Sequence, residues 1–320
     1  PYTANKAGKG PAWSNSLFED NAEFGYGMLL AQQAIRDGLK AKVEEVAANE
    51  NATAEVKAAC QEWLDTFSVG ATNGVATDKL VAALENIDCP TCKDIVNNKD
   101  FLAKKSQWIF GGDGWAYDIG FNGVDHVLAS GKDINIMVFN TEVYSNTGGQ
   151  SSKATPTGAV AQFAAGGKEV KQKDLAAIAM SYGYVYVAQI SMGADMNQTI
   201  KAIAEAEAYP GPSLIIAYAP CINHGIKKGM AKAQTEEKLA VQSGYWNLFR
   251  FNPAAEGKKF SLDCKPATVD YQEFIKGEVR YTSLALKNPA RAEKLFAKAE
   301  QNAKDKYAYL EKLVTLYDEK

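Results

Sequence analysis

Two short polar segments of this 320-residue chain have the residue types of an anion and metal site. The apolar run Trp108–Phe110 ends at a glycine turn that contains Asp113, and the apolar run Ile134–Phe139 ends at Asn140-Thr141. Glycine lets the backbone approach a ligand closely because no side chain intervenes. A carboxylate repels a phosphate, but a hard divalent cation such as Mg²⁺ can bridge the two. The pattern therefore suggests a phosphate held through a metal.

These segments need a scaffold that brings them together. The two apolar runs indicate β-strands, and Tyr184–Ala188 and Ser213–Tyr218 indicate two more, alternating with helices such as Asp195–Tyr209. Continuous apolar strands that alternate with helices are typical of an α/β fold, with a mostly parallel sheet flanked by helices on both faces. Ligands of such sheets bind outside the carboxyl ends of the strands, where both polar segments are expected.

The rest of the chain is expected to extend this core within one domain over residues 1–320. Its expected parts are an N-terminal loop and helix (1–35), a helical excursion without strand signal (36–100), the α/β core (101–253) and a helical tail (254–320). Within them we expect helices over Thr77–Ile87 and near Ala159–Phe163, and no strand beyond Pro253. The chain begins with Pro1, not Met, in a Gly/Lys-rich segment, so we expect it to be a C-terminal fragment of a longer multidomain polypeptide.

The glycine turn and the second polar segment also resemble a known signature. Gly112-Asp113-Gly114 followed by Asn140 resembles the thiamine diphosphate motif, and Thr141 replaces the second asparagine of its usual Asn-Asn pair. Residues 108–253 resemble the C-terminal, thiamine-diphosphate-binding domain of pyruvate:ferredoxin oxidoreductase. The segments Ser145–Ser152, Tyr218–Cys221 and Asn5–Trp13 carry the more specific part of that resemblance. The threonine at this position is also a feature of that family.

The resemblance implies a set of site residues. The Mg²⁺ ligands would be Asp113, Thr141 and the backbone carbonyl of Val143. Gly112, Gly114 and Trp115 would line the diphosphate and thiazolium side. Asn146, as the candidate catalytic residue, and Thr147 would approach the cofactor or substrate. Cys221 would be the last of four thiolate ligands of a 4Fe–4S cluster, with the other three outside this chain. The N-terminal loop would lie near the cofactor and cluster, although Lys6 and Lys9 could equally be solvated charges.

The function implied is part of a 2-oxoacid (pyruvate):ferredoxin oxidoreductase. Such an enzyme converts pyruvate to acetyl-CoA and CO₂ with thiamine diphosphate, and passes single electrons through 4Fe–4S clusters to ferredoxin or flavodoxin. Coenzyme A, the remaining domains of the enzyme and a second copy in a homodimer are the expected partners. Because no pyrimidine-binding domain with its glutamate is recognisable here, we expect the isolated fragment to be inactive. The alternatives are a non-oxidative thiamine diphosphate decarboxylase or synthase, and a non-catalytic structural domain.

Bulk composition excludes several other classes. The net charge of −3 gives no reason to expect nucleic acid, and no stretch of about 18 apolar residues or N-terminal signal peptide is present. Five cysteines argue against a disulfide framework and for a reducing, cytoplasmic location.

The remaining cysteines and the two histidines have less specific interpretations. Cys89-Pro90-Thr91-Cys92 is either a surface feature without a cofactor or a regulatory disulfide, since no second pair exists to complete a metal site. Cys60 and Cys264 are expected in packing or surface roles, and His126 and His224 are expected to be structural hydrogen bonders.

Overall fold

The structure is a computed structural model that describes residues 19–318 together with the backbone of two short N-terminal strands. These strands, β1 (Tyr2–Thr3) and β2 (Ala12–Trp13), pair antiparallel. The chain divides into two compact units: a helical unit, Phe24–Gln107, and a sheet unit, Pro1–Glu23 with Trp108–Lys320. The expected placement of Lys6 and Lys9 lies outside the described residues. Among the described helices, none combines the length and apolar character that a bilayer crossing needs.

The helical unit is built from four helices around a small apolar core. They are α1 (Asn21–Ala48), whose first turn precedes the unit boundary, α2 (Ala54–Asp65), α3 (Gly70–Leu84) and α4 (Pro90–Asn97). Trp63, Leu80 and Ile95 are fully buried in the core, where the indole of Trp63 donates to the Thr77 hydroxyl. No strand occurs between residues 36 and 100, all of which the structure describes.

One helix boundary in this unit differs from the prediction. We expected a helix from Thr77 to Ile87, but α3 begins at Gly70. Its first turns contain two glycines, which disfavour helix formation by roughly 1 kcal/mol each. Asn73 offsets this because it is buried and its side-chain oxygen accepts from Arg36 Nη2 and from the Lys104 backbone N–H. Tertiary contacts therefore extend the helix past its local preference.

The sheet unit is organised around six strands in the order β3-β4-β6-β5-β7-β8. The strands are β3 (Trp108–Gly112), β4 (Asn135–Asn140), β5 (Tyr186–Ile190), β6 (Ser213–Tyr218), β7 (Phe249–Phe251) and β8 (Phe260–Leu262). The first four strands in this spatial order are parallel, and β7 and β8 add an antiparallel edge. The mostly parallel α/β sheet of the prediction is confirmed.

Helices cover both faces of this sheet. The helices of the sheet unit are α5 (Phe121–Ala129), α6 (Leu175–Met180), α7 (Met196–Ala208), α8 (Ala233–Gln242), α9 (Tyr271–Ile275), α10 (Val279–Lys287) and α11 (Pro289–Leu316). On one face, Met137, Tyr186 and Ile215 pack against Ala202 and Ala206 of α7. On the other face, residues of the strands, of α6 and of α11 together line a cavity of about 480 Å³.

The long helix α11 is fastened to a segment that precedes it by more than a hundred residues. Arg291 Nε donates to the Gly166 carbonyl at 2.6 Å, Lys298 Nζ to the Glu169 carbonyl at 2.8 Å, and Asn302 Nδ2 to Thr157 Oγ1 at 3.2 Å. These bonds hold the irregular stretch between β4 and α6 against the helix.

Two predictions of local structure are wrong. The stretch near Ala159–Phe163 is not helical; it forms isolated bridges, and Phe163 has φ 64° and is 93% exposed. The chain also retains a strand beyond Pro253, because β8 pairs with β7 and Phe260 stacks on Phe249 with ring centroids 5.4 Å apart. Strands of three residues are too short to produce a periodic signal, which explains why β8 was missed.

Candidate functional site

The site begins where β3 and β4 end side by side. Their parallel register pairs Gly112 with Phe139, so the next residues of both strands leave the sheet at the same edge. There Thr141 approaches Asp113: its backbone N–H donates to Asp113 Oδ1 at 3.1 Å, and its Oγ1 lies 2.7 Å from the same oxygen. The pairing expected from the two polar segments is thus present in the fold.

Two further oxygen atoms complete the cluster around Asp113. The Thr141 hydroxyl lies 3.0 Å from the Val143 carbonyl, and the Ser152 hydroxyl donates to Asp113 Oδ2 at 2.6 Å. The carboxyl group is only 1% exposed, and its burial raises its pKa to about 6 despite the hydrogen bonds from Ser152 and Thr141. Sequence reasoning missed Ser152, although it lies at the end of the quoted Ser145–Ser152 segment.

This cluster has the chemistry of a hard-cation site. A carboxylate, a hydroxyl and a main-chain carbonyl are the oxygen ligands that Mg²⁺ and Ca²⁺ take in proteins. Within residues 19–318, no three His, Cys, Asp or Glu side chains lie together as metal ligands. The Asp113 cluster is a different kind of ligand set, because it has one carboxylate and its other oxygens come from hydroxyls and a main-chain carbonyl. The oxygens of Asp113, Thr141 and Val143 therefore fit a metal that bridges to an anionic ligand supplying further oxygens.

The glycines of the turn have contrasting surroundings. A Cβ atom added to Gly112 would meet no atom of the described residues within 4 Å, so they leave the backbone there open. A Cβ on Gly114 would lie 2.6 Å from the Tyr144 ring, and one on Gly111 would lie 2.2 Å from the Trp115 ring. The turn therefore combines one open glycine, which a ligand can approach, with two that permit tight packing.

Trp115 lies behind the turn in a single-turn π-helix, Gly114–Ile119. Its side chain is 1% exposed, and its indole N–H has no hydrogen-bond partner among the described residues. Gly120 lies against the other edge of the ring, where a Cβ would come within 2.2 Å of it. The indole thus packs between the backbones of Gly111 and Gly120 and fixes the shape of the turn.

The loop after β4 projects from the same edge. Tyr144 and Gln150 form an antiparallel bridge, and Gly148 and Gly149 have positive φ angles of 139° and 78°. Asn146 and Thr147 are exposed in this loop, and the Thr147 hydroxyl donates to Gln150 Oε1 at 2.7 Å. No hydrogen bond joins Asn146 or Thr147 to the Asp113 cluster within the described part of the chain.

Cys221 follows β6, the other neighbour of β4, and so lies at the same sheet edge. The Ala219 N–H donates to the Asn140 carbonyl at 3.0 Å, and a Cβ on Gly149 would come within 2.6 Å of the Asn223 side chain. The Cys221 loop therefore packs on the loop after β4. Burial acts to raise the pKa of the Cys221 thiol, but hydrogen bonding and charge at His224 hold it below its ordinary value.

A buried ionic network links the two loops. Glu142 is fully buried with φ 61°, and its carboxylate lies 2.7 Å from Arg280 Nη2, accepts from the Tyr245 hydroxyl at 2.7 Å and lies 3.6 Å from His224 Nε2. Arg280 Nε also donates to Glu278 at 2.7 Å. Burial acts to raise the pKa of Glu142, but the Arg280 guanidinium, His224 and the Tyr245 hydroxyl together outweigh it and lower that pKa to about 2.

His224 has the structural hydrogen-bonding role that we expected. It is fully buried, and its Nδ1 accepts from the Cys221 backbone N–H at 3.0 Å. The other ring nitrogen, Nε2, faces the Glu142 carboxylate at 3.6 Å. The only sequence signal for the network was the position of Glu142 beside Thr141, and nothing local identifies Arg280 as its partner.

Comparisons with known proteins agree with this geometry. Residues 99–217 match the family described as thiamine pyrophosphate enzyme, C-terminal TPP binding domain. That segment contains β3, β4, β5 and the Asp113 cluster. Residues 99–217 belong to the thiamine pyrophosphate enzyme family. The matched segment thus contains the glycine turn and the strand edge where the oxygen cluster lies.

Relatives of the thiamine pyrophosphate domain match along nearly the whole chain. The 320-residue chain is 52% identical to a pyruvate-flavodoxin oxidoreductase of Klebsiella pneumoniae and 54% identical to the pyruvate:ferredoxin oxidoreductase of Moorella thermoacetica. Each match covers 98% of this chain and 27% of the relative. It is 47% identical to the mitochondrial pyruvate dehydrogenase [NADP(+)] of Euglena gracilis, over 94% of this chain and 17% of that protein. The chain therefore spans about a quarter or less of these relatives, which are enzymes.

Proposed function

We propose that the chain is the thiamine-diphosphate-binding module of a pyruvate:ferredoxin or pyruvate:flavodoxin oxidoreductase. The convergence of the Asp113, Thr141 and Val143 oxygens at the carboxyl edge of the sheet supports the cofactor role. The similarity to pyruvate oxidoreductases over 98% of the chain supports the choice of reaction. The oxidative decarboxylation of pyruvate to acetyl-CoA is the activity proposed for the whole enzyme.

In this proposal Asp113, Thr141 and the Val143 carbonyl hold Mg²⁺. The open backbone at Gly112 admits the diphosphate, and Gly114 and Trp115 shape the turn beside it. Asn146 and Thr147, which are exposed on the neighbouring loop, approach the cofactor or the substrate. When bound, thiamine diphosphate supplies the electron-sink chemistry that decarboxylation of a 2-oxoacid requires. The residues of this chain bind and orient it.

Cys221 is proposed as one thiolate ligand of a 4Fe–4S cluster whose other three ligands lie outside this chain. Such clusters are held by deprotonated cysteines. The contacts of Cys221 with His224 lower the pKa of its thiol and so favour the deprotonated form. Its position at the end of β6, next to β4, places the thiol at the same sheet edge as the Asp113 cluster. This arrangement favours an oxidoreductase over a non-oxidative thiamine enzyme, which has no use for a thiolate there.

The remaining partners follow from the proposed reaction. Pyruvate and coenzyme A are the substrates, ferredoxin or flavodoxin accepts the electrons, and the other domains of the enzyme supply the rest of the active site. A second copy forms a homodimer, and the cytoplasm is the compartment.

Calorimetric titration of the chain with thiamine diphosphate, with and without Mg²⁺, tests the cofactor role. We expect binding that requires Mg²⁺ and weakens at least about tenfold in Asp113→Asn, because a carboxylate ligand of the metal is lost. Asp125→Asn is a matched control, since Asp125 accepts from the Tyr182 hydroxyl away from the cluster. Binding that ignores Mg²⁺, or that survives Asp113→Asn unchanged, contradicts the proposal.

A further inference from the structure

The helical unit contains a cysteine pair that the proposed reaction does not use. Cys89 is the N-cap residue of α4, Pro90 is its first residue, and Cys92 is the third. An N-cap side chain reaches the backbone N–H two or three positions ahead. Here the Cys92 N–H donates to Cys89 Sγ at 3.3 Å, and the Cys92 thiol also hydrogen-bonds that sulfur. Both sulfur atoms therefore lie over the same helical turn.

The two thiols are not equivalent. Cys92 is 3% exposed and belongs to the apolar core of the helical unit, whereas Cys89 is partly exposed at the helix start. The hydrogen bonds from Cys92 hold the pKa of Cys89 below its ordinary value, and burial raises the pKa of Cys92 to about 12. One sulfur is thus accessible and stabilised as a thiolate, and the other is a protonated thiol directly behind it. This division is that of an attacking and a resolving cysteine.

We propose that Cys89 and Cys92 form a redox-active dithiol that exchanges with small disulfides of the glutathione class and closes to an intramolecular disulfide. The Cys89 thiolate attacks one sulfur of the disulfide, whose S–S bond breaks and releases one thiolate, which takes up a proton. Cys92 then loses its proton and attacks Cys89 Sγ, which displaces the second thiol. Two electrons pass from the cysteine pair to the small disulfide, which leaves as two thiols.

The pair differs from the two other cysteines that the proposed reaction does not use, Cys60 and Cys264. Cys60 is fully buried in the core of the helical unit, and burial raises the pKa of its thiol to about 11. Cys264 lies in the sheet unit, where its sulfur accepts from the Leu248 N–H at 3.3 Å and burial raises its pKa. Of the four thiols Cys60, Cys89, Cys92 and Cys264, Cys89 alone has a lowered pKa.

The test treats the full 320-residue chain with oxidised glutathione, traps free thiols with iodoacetamide and maps tryptic peptides by mass. Cleavage after Lys79 and Lys93 isolates both cysteines in the peptide Leu80–Lys93. We expect an intramolecular disulfide in that peptide without retained glutathione. Iodoacetamide alone should label Cys89 about tenfold faster than Cys264, as expected for a more ionised and more accessible thiol.

Variants separate the two roles. Cys92→Ser should accumulate a stable mixed disulfide between Cys89 and glutathione, because the resolving thiol is missing. Cys92→Ala repeats that test with an apolar residue in the buried position, and circular dichroism of both variants checks that the helices remain. Cys89→Ser should form neither adduct nor disulfide at Cys92, and Cys264→Ser should behave as wild type. A wild-type chain that keeps both thiols free overturns the proposal. So does a Cys89→Ser chain in which Cys92 reacts with oxidised glutathione as fast as the disulfide forms in the wild type.

Discussion

The hydroxyl of Thr141 lies 2.7 Å from Oδ1 of Asp113, although the two residues are 28 positions apart in the chain. The contact depends on the parallel pairing of β3 with β4, which carries both segments off the sheet at one edge. In the proposed site, this contact puts a threonine hydroxyl where the general thiamine diphosphate motif has a second asparagine.

The Thr141 hydroxyl can be tested by two substitutions of similar size. Thr141→Val removes the oxygen, and we expect it to weaken Mg²⁺-dependent binding of thiamine diphosphate by about 10- to 100-fold. Thr141→Ser keeps the oxygen and should bind within a few-fold of wild type. Calorimetry provides the measurement, and equal affinities of the two variants would show that this hydroxyl is not a ligand.

The glycine turn gives a second prediction, because Gly111 and Gly112 have opposite surroundings. Gly111→Ala would drive a methyl group into the Trp115 ring and should destabilise the chain by about 1–3 kcal/mol. Gly112→Ala meets no neighbour among the described residues, so its free energy of unfolding should change by less than about 1 kcal/mol while cofactor affinity falls. Urea unfolding and calorimetry measure the two effects, and a Gly112→Ala chain with full affinity would contradict the proposed diphosphate approach.

Arg280 is predicted to be a major contributor to stability. Arg280→Met leaves Glu142 and Glu278 buried without their counter-charge and should lower the free energy of unfolding by about 3–5 kcal/mol. Arg291→Met is the control, because its exposed pair with Glu169 is worth at most about 1 kcal/mol and its hydrogen bond to the Gly166 carbonyl about 1 kcal/mol more. Adding Glu142→Gln to Arg280→Met should recover part of the loss. If urea unfolding ranks the two arginine variants equally, the network is not the stabilising element.

The buried carboxyl group of Glu236 leads us to predict that stability depends on pH in a specific way. It is 4% exposed, and burial together with the nearby Glu278 carboxylate raises its pKa from 4.5 to about 6. The folded chain therefore keeps this proton to higher pH than the unfolded chain does, and the free energy of unfolding contributed by this group falls as pH rises from 4.5 to 6.

Glu236→Gln should remove that slope and raise the free energy of unfolding at pH 7 by about 1–2 kcal/mol. Glu273→Gln, at an exposed position, serves as the control. Urea unfolding at several pH values between 4 and 7 makes the comparison. An unchanged slope in Glu236→Gln would mean that other groups carry the dependence.

The parallel core was predictable because each strand is a continuous apolar run. β6 has the predicted bounds, β4 is shifted by one residue and β5 by two. The meeting of Asp113 with Thr141 was predictable for a related reason, since the carboxyl ends of neighbouring parallel strands share one edge.

Other features had no local signature. The partnership of Glu142 with Arg280 depends on a long-range contact between a loop residue and α10. The start of α3 at Gly70 depends on Arg36 and Lys104, which hydrogen-bond Asn73 from elsewhere in the helical unit. β8 has only three residues and gains its stability from pairing with β7.

The bonds between α11 and the stretch that contains Thr157, Gly166 and Glu169 also constrain the order of folding. During translation that stretch leaves the ribosome well before Arg291, Lys298 and Asn302 do. Until they are synthesised, it lacks these hydrogen-bond partners. Contacts over such long sequence separations form late, because closing a long loop is entropically unfavourable. The strand edge with the oxygen cluster can thus form first in a nascent chain. The side of the cavity that α11 lines forms only after α11 has been synthesised.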